Sequence, residues 1–358
     1  MSKWKVLFLS AKWDKIRVPI YEASAKGKRI PILKTLLTNS CIHECKYCMF
    51  RRGYNIERRT WKKEELVKVT LHLWRKGIIK GLFLSSGVMG DPETTSEKQV
   101  EVAEELRKKG FTGYIHLRLM PGTSKDYVWR ASVVADRVGV NLETTSEDYF
   151  SEIAPDKGDY VNDVLKRLEW LSRAQKILSR QRKSLHINVG YLRSGIDSQV
   201  MVGIVNENDL EHLTLVEKLY REYNLTRVYF SPFEPIINTP FENKAPCSLH
   251  RVKRLYQASF LIRDYGFTIK EIKSILNSRN MLPDLDPKVA YAEANKHLYP
   301  INLNSASLSE IIRVPGIGLV TANKILEIRN TKGKITVSDL TRLLGALRVK
   351  RVLKYVSF

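Results

Sequence analysis

The sequence predicts an α/β fold that consists of a partial (βα)6 barrel followed by a small all-α domain. Short apolar segments alternate with amphipathic helical patterns between residues 32 and 235, which is typical of a parallel sheet with helical crossovers. About six strand–helix units fit into this range, fewer than the eight of a closed barrel. Residues 300–358 contain short helical patterns around a Gly-rich hairpin, with 10 Lys or Arg against 3 acidic residues.

The strands are predicted from short apolar runs that end in Gly, Pro or small polar residues. They span residues 32–38, 81–85, 114–120, 137–143, 185–191, 200–205 and 227–233. Helical periodicity predicts helices over residues 60–76, 96–109, 124–135, 160–182, 207–223, 248–264 and 269–276. Residues 1–30 are basic and irregular in pattern.

Three domain segments follow from composition. Prolines and aspartates punctuate residues 278–302, which predicts a linker with a small helix inside it. The predicted boundaries are therefore 1–277 for the barrel with its basic N-terminal segment, 278–302 for the linker and 303–358 for the C-terminal domain.

The chain of 358 residues is strongly basic, with 60 Lys or Arg, 38 Asp or Glu and a formal net charge of +22. This charge favours a polyanionic partner, above all nucleic acid; a Lys-rich surface that serves solubility is the alternative. No apolar run of about 18 residues predicts a membrane span. The first residues lack the apolar core of a secretory signal, so we expect a cytoplasmic protein.

Three of the four cysteines form the motif C-x3-C-x2-C at Cys41, Cys45 and Cys48, directly after the first predicted strand. Closely spaced thiolates are the ligands that iron–sulfur clusters use. Three of them leave one iron of a [4Fe–4S] cluster without a protein ligand, which is the open position that a reacting molecule needs. A zinc site is the alternative, and it would need Cys247 or a histidine as its fourth ligand.

The motif, with the aromatic Tyr47 before its third cysteine, resembles the radical S-adenosylmethionine (SAM) superfamily. The resemblance implies a TIM-like partial barrel, a [4Fe–4S] cluster on the three cysteines, and SAM bound to the open iron. It also implies reductive cleavage of SAM to methionine and a 5′-deoxyadenosyl radical that abstracts hydrogen from the substrate. The cofactor then does the difficult chemistry, while the protein supplies position and exclusion of solvent.

Small or polar residues near the ends of predicted strands are the candidate SAM contacts. Small residues there let a ligand approach the backbone, and polar residues on the inner face of a buried strand are costly unless they bind something. The resemblance assigns such positions to SAM. The candidate cofactor-binding residues are Tyr47, Ser85, Ser86, Gly87, Arg118, Asn141, Glu143 and Gln199.

Some of these residues have a second interpretation. Tyr47 either packs on the adenine of SAM or fills the core, and residues 85–87 either contact SAM or form only a tight turn. Arg118, which shares a strand face with His116, either meets a carboxylate or phosphate of a ligand or forms an internal ion pair with Glu143.

Cys247 is the candidate catalytic residue outside the motif. A DNA-repair lyase of the superfamily uses an additional cysteine as a hydrogen donor, and His250 and Arg251 lie close enough in sequence to activate a thiol. The alternative is that a lone cysteine in a Pro-rich loop has no chemical role.

Residues 311–329 resemble a helix-hairpin-helix motif. Its glycines allow a tight hairpin, and its backbone N–H groups with the N-terminus of the second helix form an anion site for a DNA phosphate. Such binding is independent of base sequence; a protein-docking role is the alternative. The candidate DNA-binding residues are Gly316, Ile317, Gly318, Thr321, Lys324 and Arg329.

A second, degenerate copy of this motif spans residues 337–356. Gly345-Ala346-Leu347 stands where the G-x-G hairpin would be. We therefore expect this copy to complete the core of a paired unit rather than to bind phosphate through its own backbone.

The combination of the two modules resembles the radical SAM proteins of DNA modification or repair that are linked with a uracil-DNA-glycosylase-like partner. It implies DNA binding, a nucleic-acid substrate and an electron donor that the sequence does not identify. Residues 1–63, with 16 Lys or Arg and 4 acids, are expected to line the barrel mouth, where a flipped nucleotide would meet the radical. An RNA-modifying radical SAM enzyme and a non-enzymatic iron–sulfur DNA-binding protein are the alternatives.

Overall fold

A computed structural model describes the chain at Val6, over residues 20–25 and over residues 28–358, so part of the basic N-terminal segment lies outside the described residues. The described residues form two compact units. The first comprises the residues up to Val205 together with Leu219–Pro246, and the second comprises Asn206–Lys218 and Cys247–Phe358. These limits differ from the boundaries that composition suggested at residues 277 and 302, which stay a prediction.

The first unit is built on one sheet of seven strands that follow one another in chain order. The strands are β1 (Ile20–Ala25), β2 (Lys28–Leu36), β3 (Gly81–Ser85), β4 (Tyr114–Leu119), β5 (Arg137–Val140), β6 (Ile196–Val202) and β7 (Arg227–Pro232). β2 to β7 are all parallel, whereas β1 pairs antiparallel with β2. Six parallel strands in consecutive order form the partial TIM-like barrel, so this prediction is confirmed.

Helices occupy the connections between the parallel strands. They are α1 (Lys63–Arg75), α2 (Pro92–Lys108), α3 (Lys125–Val134), α4 (Glu147–Ile153), α5 (Lys166–Ser184) and α6 (Asp209–Arg221), with a π-helical turn (Tyr160–Leu165) before α5. Side-chain caps define several starts: Asp91 accepts the N–H of Thr94 at the start of α2, which satisfies a donor that the helix leaves open.

Two local predictions in this unit are wrong. β1 lies where an irregular segment was expected; it contains Ala and Ser, which are poor strand formers, and is an edge strand. Residues 185–191 form no strand, because Gly190, Tyr191 and Leu192 have φ angles of 66°, 51° and 47°. Buried Asp136 holds this turn by accepting the N–H of Gly190 at 3.0 Å, and the sheet resumes at β6, earlier than the predicted 200–205.

The second unit is helical apart from one short pair of parallel strands. Besides the part of α6 that lies within Asn206–Lys218, its elements are α7 (Leu249–Tyr265), α8 (Ile269–Lys273), α9 (Pro287–Ala294), a 3-10 turn (Lys296–Leu298), β8 (Ile301–Asn302), α10 (Leu308–Ile311), α11 (Leu319–Lys332), α12 (Val337–Leu344), α13 (Ala346–Val352) and β9 (Val356–Ser357). Leu340, Val349 and Val352 share one core with Ile311 and Ile325. The second helix pair therefore completes this core, as expected.

No helix among the described residues combines the length and the apolar character needed to cross a membrane.

Candidate active site and candidate nucleic-acid interface

The cysteine loop begins at the carboxyl ends of β2 and β3 and is fastened there by backbone hydrogen bonds. The N–H of Gly87 donates to Thr38 O at 2.8 Å, and the N–H of Ile42 donates to Val88 O at 2.9 Å. The N–H of Val88 also reaches the sulfur of Cys41 at 3.4 Å. Hydrogen bonds to the ligand sulfur atoms are one means by which a protein sets the reduction potential of an iron–sulfur cluster.

Gly87 is required here by a close approach of two backbone segments. A Cβ atom on Gly87 would lie 2.4 Å from Ser40 O and 3.3 Å from the Cβ of Cys41. The first of these distances is an overlap with a backbone atom, so any side chain would displace the cysteine loop. The structure thus brings the predicted segment 85–87 directly against the first cysteine.

Arg58 stabilises the cysteine loop through hydrogen bonds to its backbone. Its guanidinium donates to the backbone carbonyls of Phe50 at 2.8 Å, Arg51 at 2.7 Å and Tyr54 at 2.8 Å, and also to that of Asn39. One side chain therefore ties the two ends of the loop that carries the three cysteines. Sequence analysis missed Arg58, because nothing in the pattern of a basic loop distinguishes one arginine from its neighbours.

Glu143 and Lys157 form an ion pair beside the cysteines. Nζ of Lys157 lies 2.6 Å from Oε1 of Glu143, and the two side chains are 12% and 4% exposed. Nδ2 of Asn141 donates to the same oxygen at 3.2 Å, and burial together with the nearby Glu143 carboxylate raises the pKa of the Tyr47 hydroxyl. Tyr47, Asn141 and Glu143 are therefore brought together, and Lys157 is a further member that sequence analysis missed.

Burial dominates the electrostatics of the cysteine thiols. It raises the pKa of Cys45, and it raises the pKa of Cys48 to about 11; the Glu143 carboxylate acts in the same direction, whereas Lys157 opposes it. Burial alone would lower the pKa of Lys157, but its attraction to Glu143 and Cys45 outweighs burial and raises it. Coordination by metal ions deprotonates a thiol outright, so a bound cluster would keep these thiols as thiolates despite their raised pKa values.

The residues present fit a [4Fe–4S] cluster with SAM. Oγ of Ser86 and Oδ1 of Asn141 are buried and have no hydrogen-bond partner within the described residues. Such atoms are costly and indicate a bound group. In the part of the chain that the structure describes, no group of three or more His, Cys, Asp or Glu side chains is arranged to hold a single metal ion; a cluster differs in spreading its thiolates over several irons.

Arg118 lies in a buried charged cluster on the inner face of β4. Its Nη1 is 2.8 Å from Oδ1 of Asp197, and Nε2 of His116 is 2.9 Å from Oδ2 of the same carboxylate. The internal ion pair weighed for Arg118 therefore exists, but its acid is Asp197 and not Glu143. A SAM or phosphate contact by Arg118 stays a prediction. Asp197 was missed because β6 was assigned too late in the sequence.

Gln199 takes part in the site through its backbone. Its carbonyl accepts the N–H of Leu142 at 3.1 Å and that of Glu143 at 3.0 Å. These two hydrogen bonds, together with a φ of 65° at Glu143, fix the position of the Glu143 backbone from which the carboxylate side chain extends. Contact of the Gln199 side chain with SAM stays a prediction.

Cys247 belongs to the second unit. The neighbours expected to activate its thiol are paired with acids: Nδ1 of His250 lies 2.5 Å from Asp284, and Nε of Arg251 lies 2.8 Å from Asp209. The expected electropositive environment is therefore neutralised, and a catalytic role of Cys247 stays a prediction without support from these neighbours.

The hairpin between α10 and α11 has the expected shape, with a φ of 86° at Gly316. Its polar groups, however, have partners inside the unit. The carbonyl of Ile317 accepts a hydrogen bond from Nζ of Lys288, and the hydroxyl of Tyr265 lies 3.3 Å from the position that a Cβ on Gly318 would take. Side chains of the same unit therefore pack against the hairpin, and phosphate binding by its N–H groups stays a prediction.

The side chains predicted to assist this cradle differ in position. Nη1 of Arg329 donates to the carbonyls of Leu303 at 3.1 Å and Ala306 at 2.7 Å, so this residue braces its own unit. Lys324 is exposed and Thr321 is half-buried. Their contact with DNA stays a prediction.

Two protein-family models match the chain. Residues 35–180 match the Radical SAM superfamily, and residues 298–345 match the Helix-hairpin-helix motif. No curated protein matches the chain.

Similar solved structures include the FeFe-hydrogenase maturase HydG from Carboxydothermus hydrogenoformans, at 18% identity and a TM-score of 0.46, covering 64% of this chain and 50% of that one. A second HydG structure has 11% identity and a TM-score of 0.47, covering 89% and 79%. Methylornithine synthase (PylB) has 14% identity and a TM-score of 0.49, covering 75% and 71%. This chain spans half the length of the first of these proteins.

Residues 35–180 are thus a radical SAM domain, an enzyme domain whose cofactors are a [4Fe–4S] cluster and SAM. The C-terminal unit contains a helix-hairpin-helix motif.

Proposed function

We propose that this radical SAM enzyme acts on a nucleic acid, and that DNA modification or repair is its function. One observation above all supports the radical SAM reaction: Gly87 and Arg58 position the cysteine loop beside the buried Glu143–Lys157 ion pair. When bound to Cys41, Cys45 and Cys48, the cluster would supply the electron for reductive cleavage of SAM.

The chain's own residues divide the remaining work. Cys41, Cys45 and Cys48 would hold the cluster. Lys157 holds the Glu143 carboxylate in place, and the orphaned oxygen atoms of Ser86 and Asn141, with Glu143, offer hydrogen bonds to the polar groups of SAM. A half-barrel lined in this way orients the cofactor and excludes water, which is the contribution that such enzymes require of the protein.

Three observations support DNA as the substrate. The net charge of +22 favours a polyanion, the helix-hairpin-helix match covers residues 298–345, and residues 300–358 carry 10 basic against 3 acidic residues. A uracil-DNA-glycosylase-like protein as partner and a one-electron reductant as electron donor complete the proposal.

The test is anaerobic purification and reconstitution with iron and sulfide, followed by reduction, addition of SAM and measurement of 5′-deoxyadenosine. The wild type should form it, and Cys45→Ala should not. Duplex or single-stranded DNA should increase its formation, whereas tRNA should not.

Stimulation by tRNA but not by DNA would favour RNA modification instead. An intact cluster without any SAM cleavage would leave a non-enzymatic iron–sulfur DNA-binding protein as the better account.

A further inference from the structure

The first helix-hairpin-helix hairpin is in contact with side chains of its own unit. Lys288, which is 8% exposed, donates to the carbonyl of Ile317. The hydroxyl of Tyr265 also lies against the hairpin, since a Cβ on Gly318 would lie 3.3 Å from it. Two side chains of the unit thus pack against this hairpin.

In contrast to the hairpin, α13 has an exposed basic face. Leu347, Lys350 and Arg351 are spaced at i, i+3 and i+4 in α13, so they share one face of this helix. Lys354 follows two residues after the helix ends, and all four side chains are exposed. Val349 and Val352 turn the other face of this helix into the core.

We call the exposed helix residues Leu347, Arg348, Lys350 and Arg351, together with Lys354 just beyond the helix, the α13 face; this face has no acidic counterpart nearby in sequence. Among residues 337–358 the sole acid is Asp339, which pairs with Lys332 at 2.8 Å. No ion pair of the four cations occurs within the described residues.

Helix electrostatics do not account for this concentration of charge. Lys350 and Arg351 lie in the last turn of α13, where cations are favourable, but Arg348 lies in the first turn, where a cation opposes the helix dipole. Neighbouring like charges on one helix face are also unfavourable. A polyanion placed on the face removes both costs.

We propose that the α13 face, rather than the first hairpin, is the surface that grips the phosphate backbone of DNA. Side-chain cations here replace the backbone cradle that Gly345-Ala346-Leu347 lacks. Leu347, which at 83% has the largest exposed fraction among the large apolar side chains described, stands among the cations as the apolar contact to the groove. This inference rests on the proposed function, since it names the surface that holds the proposed substrate.

The test measures binding of the full-length, cluster-containing protein to a fluorescent duplex of about 20 base pairs by anisotropy, between about 50 and about 300 mM NaCl. The variant K350Q/R351Q should weaken binding about tenfold and lower the slope of log Kd against log salt by about 2, because each lost phosphate contact lowers it by about 1. Lys354→Gln should lower it by about 1.

Two comparisons make the result specific. K176Q/R180Q removes two exposed cations of α5 and should leave affinity within about twofold, while Lys324→Gln tests the first motif and should have a smaller effect per charge than the α13 variants. Unchanged thermal stability and iron content would show that each variant is folded.

Wild-type affinity and salt slope in K350Q/R351Q would overturn the inference, and so would an equal loss in K176Q/R180Q or a larger one in Lys324→Gln. Binding to vesicles with anionic lipid, but not to duplex, would also overturn it. Absence of duplex binding by the wild type would refute the DNA part of the proposed function itself, whereas DNA binding without SAM cleavage would refute only the reaction.

Discussion

Arg58 and Gly87 determine where the cysteines lie, although neither is a ligand. Arg58 does so through hydrogen bonds to carbonyls of the loop, and Gly87 does so because it has no side chain where two backbone segments meet. A site whose supporting residues fix it in advance binds its cofactor without paying for loop ordering. Both residues should therefore affect cluster binding before they affect chemistry.

Arg58→Gln should lower the iron bound per chain and reduce the free energy of unfolding by about 2 kcal/mol, since several hydrogen bonds from a charged donor are lost. Iron and sulfide analysis after anaerobic reconstitution, with a denaturant titration, measures both effects. The control is Arg59→Gln, because the Arg59 guanidinium pairs with the partly exposed Glu57. Equal iron content in the two variants would contradict the role given to Arg58.

Gly87→Ala should reduce both cluster content and 5′-deoxyadenosine formation by about tenfold or more, because displacement of a reacting group by an ångström has effects of this size. Gly53→Ala is the matched control in the same loop, since the nearest atom to its added Cβ is a Glu44 carboxylate oxygen at 3.7 Å. A Gly87→Ala protein with wild-type iron content would show that the loop can move aside.

At the scale of elements, β4, β5 and β6 are joined by a buried charged cluster rather than by apolar packing alone. A Cβ on Gly139 of β5 would lie 1.9 Å from Oδ1 of Asp197, so this glycine makes room for the contact between β4 and β6. Burial lowers the pKa of His116 to about 4, against the attraction of Asp197. Burial would raise the pKa of Asp197, but Arg118 and His116 outweigh it and lower it to about 2.

These shifts predict acid destabilisation in two separate ranges. His116 has a lowered folded pKa, so between about pH 6.5 and pH 4 the unfolded chain binds a proton that the folded chain does not, and stability falls by up to roughly 3 kcal/mol as pH falls. The stabilisation from Asp197 is present above its unfolded pKa and is lost only as pH falls towards 2.

Measurement of the Tm at about pH 7, 5.5 and 4.5 tests the loss of stability that is expected from His116. The Tm of His116→Gln, which cannot titrate at this position, should fall less with pH than that of the wild type. Parallel Tm curves for the two proteins would show that other groups cause the acid destabilisation.

At the scale of the whole molecule, the two kinds of site lie in different compact units. The cysteines and the Glu143–Lys157 pair belong to the first unit, and the α13 face belongs to the second. Each unit has its own core, so the cofactor site and the proposed DNA surface can be perturbed separately.

Removal of the cluster by an oxidant and a chelator should therefore abolish SAM binding while duplex affinity stays within about threefold, which is less than about 0.7 kcal/mol. Equilibrium dialysis with SAM and anisotropy with duplex, on the same cluster-free sample, measure the two affinities. A loss of duplex binding in step with the cluster would mean that the units depend on each other.

The sequence alone determined the sheet of parallel strands and the hairpin motifs and predicted the cysteine ligands, because periodicity, residue spacing and glycine positions are local signals. It also indicated Gly87 and Glu143, which follow strands at the end where ligands bind. Only the tertiary structure decided the partners of these residues. Arg58, Lys157 and Asp197 reach theirs across 4 to 81 residues of chain, and such pairs leave no periodic trace. The contacts of Tyr265 and Lys288 with the first hairpin are likewise long-range. The glycines of the hairpin predict the turn, but the residues that pack against it are decided by the tertiary structure.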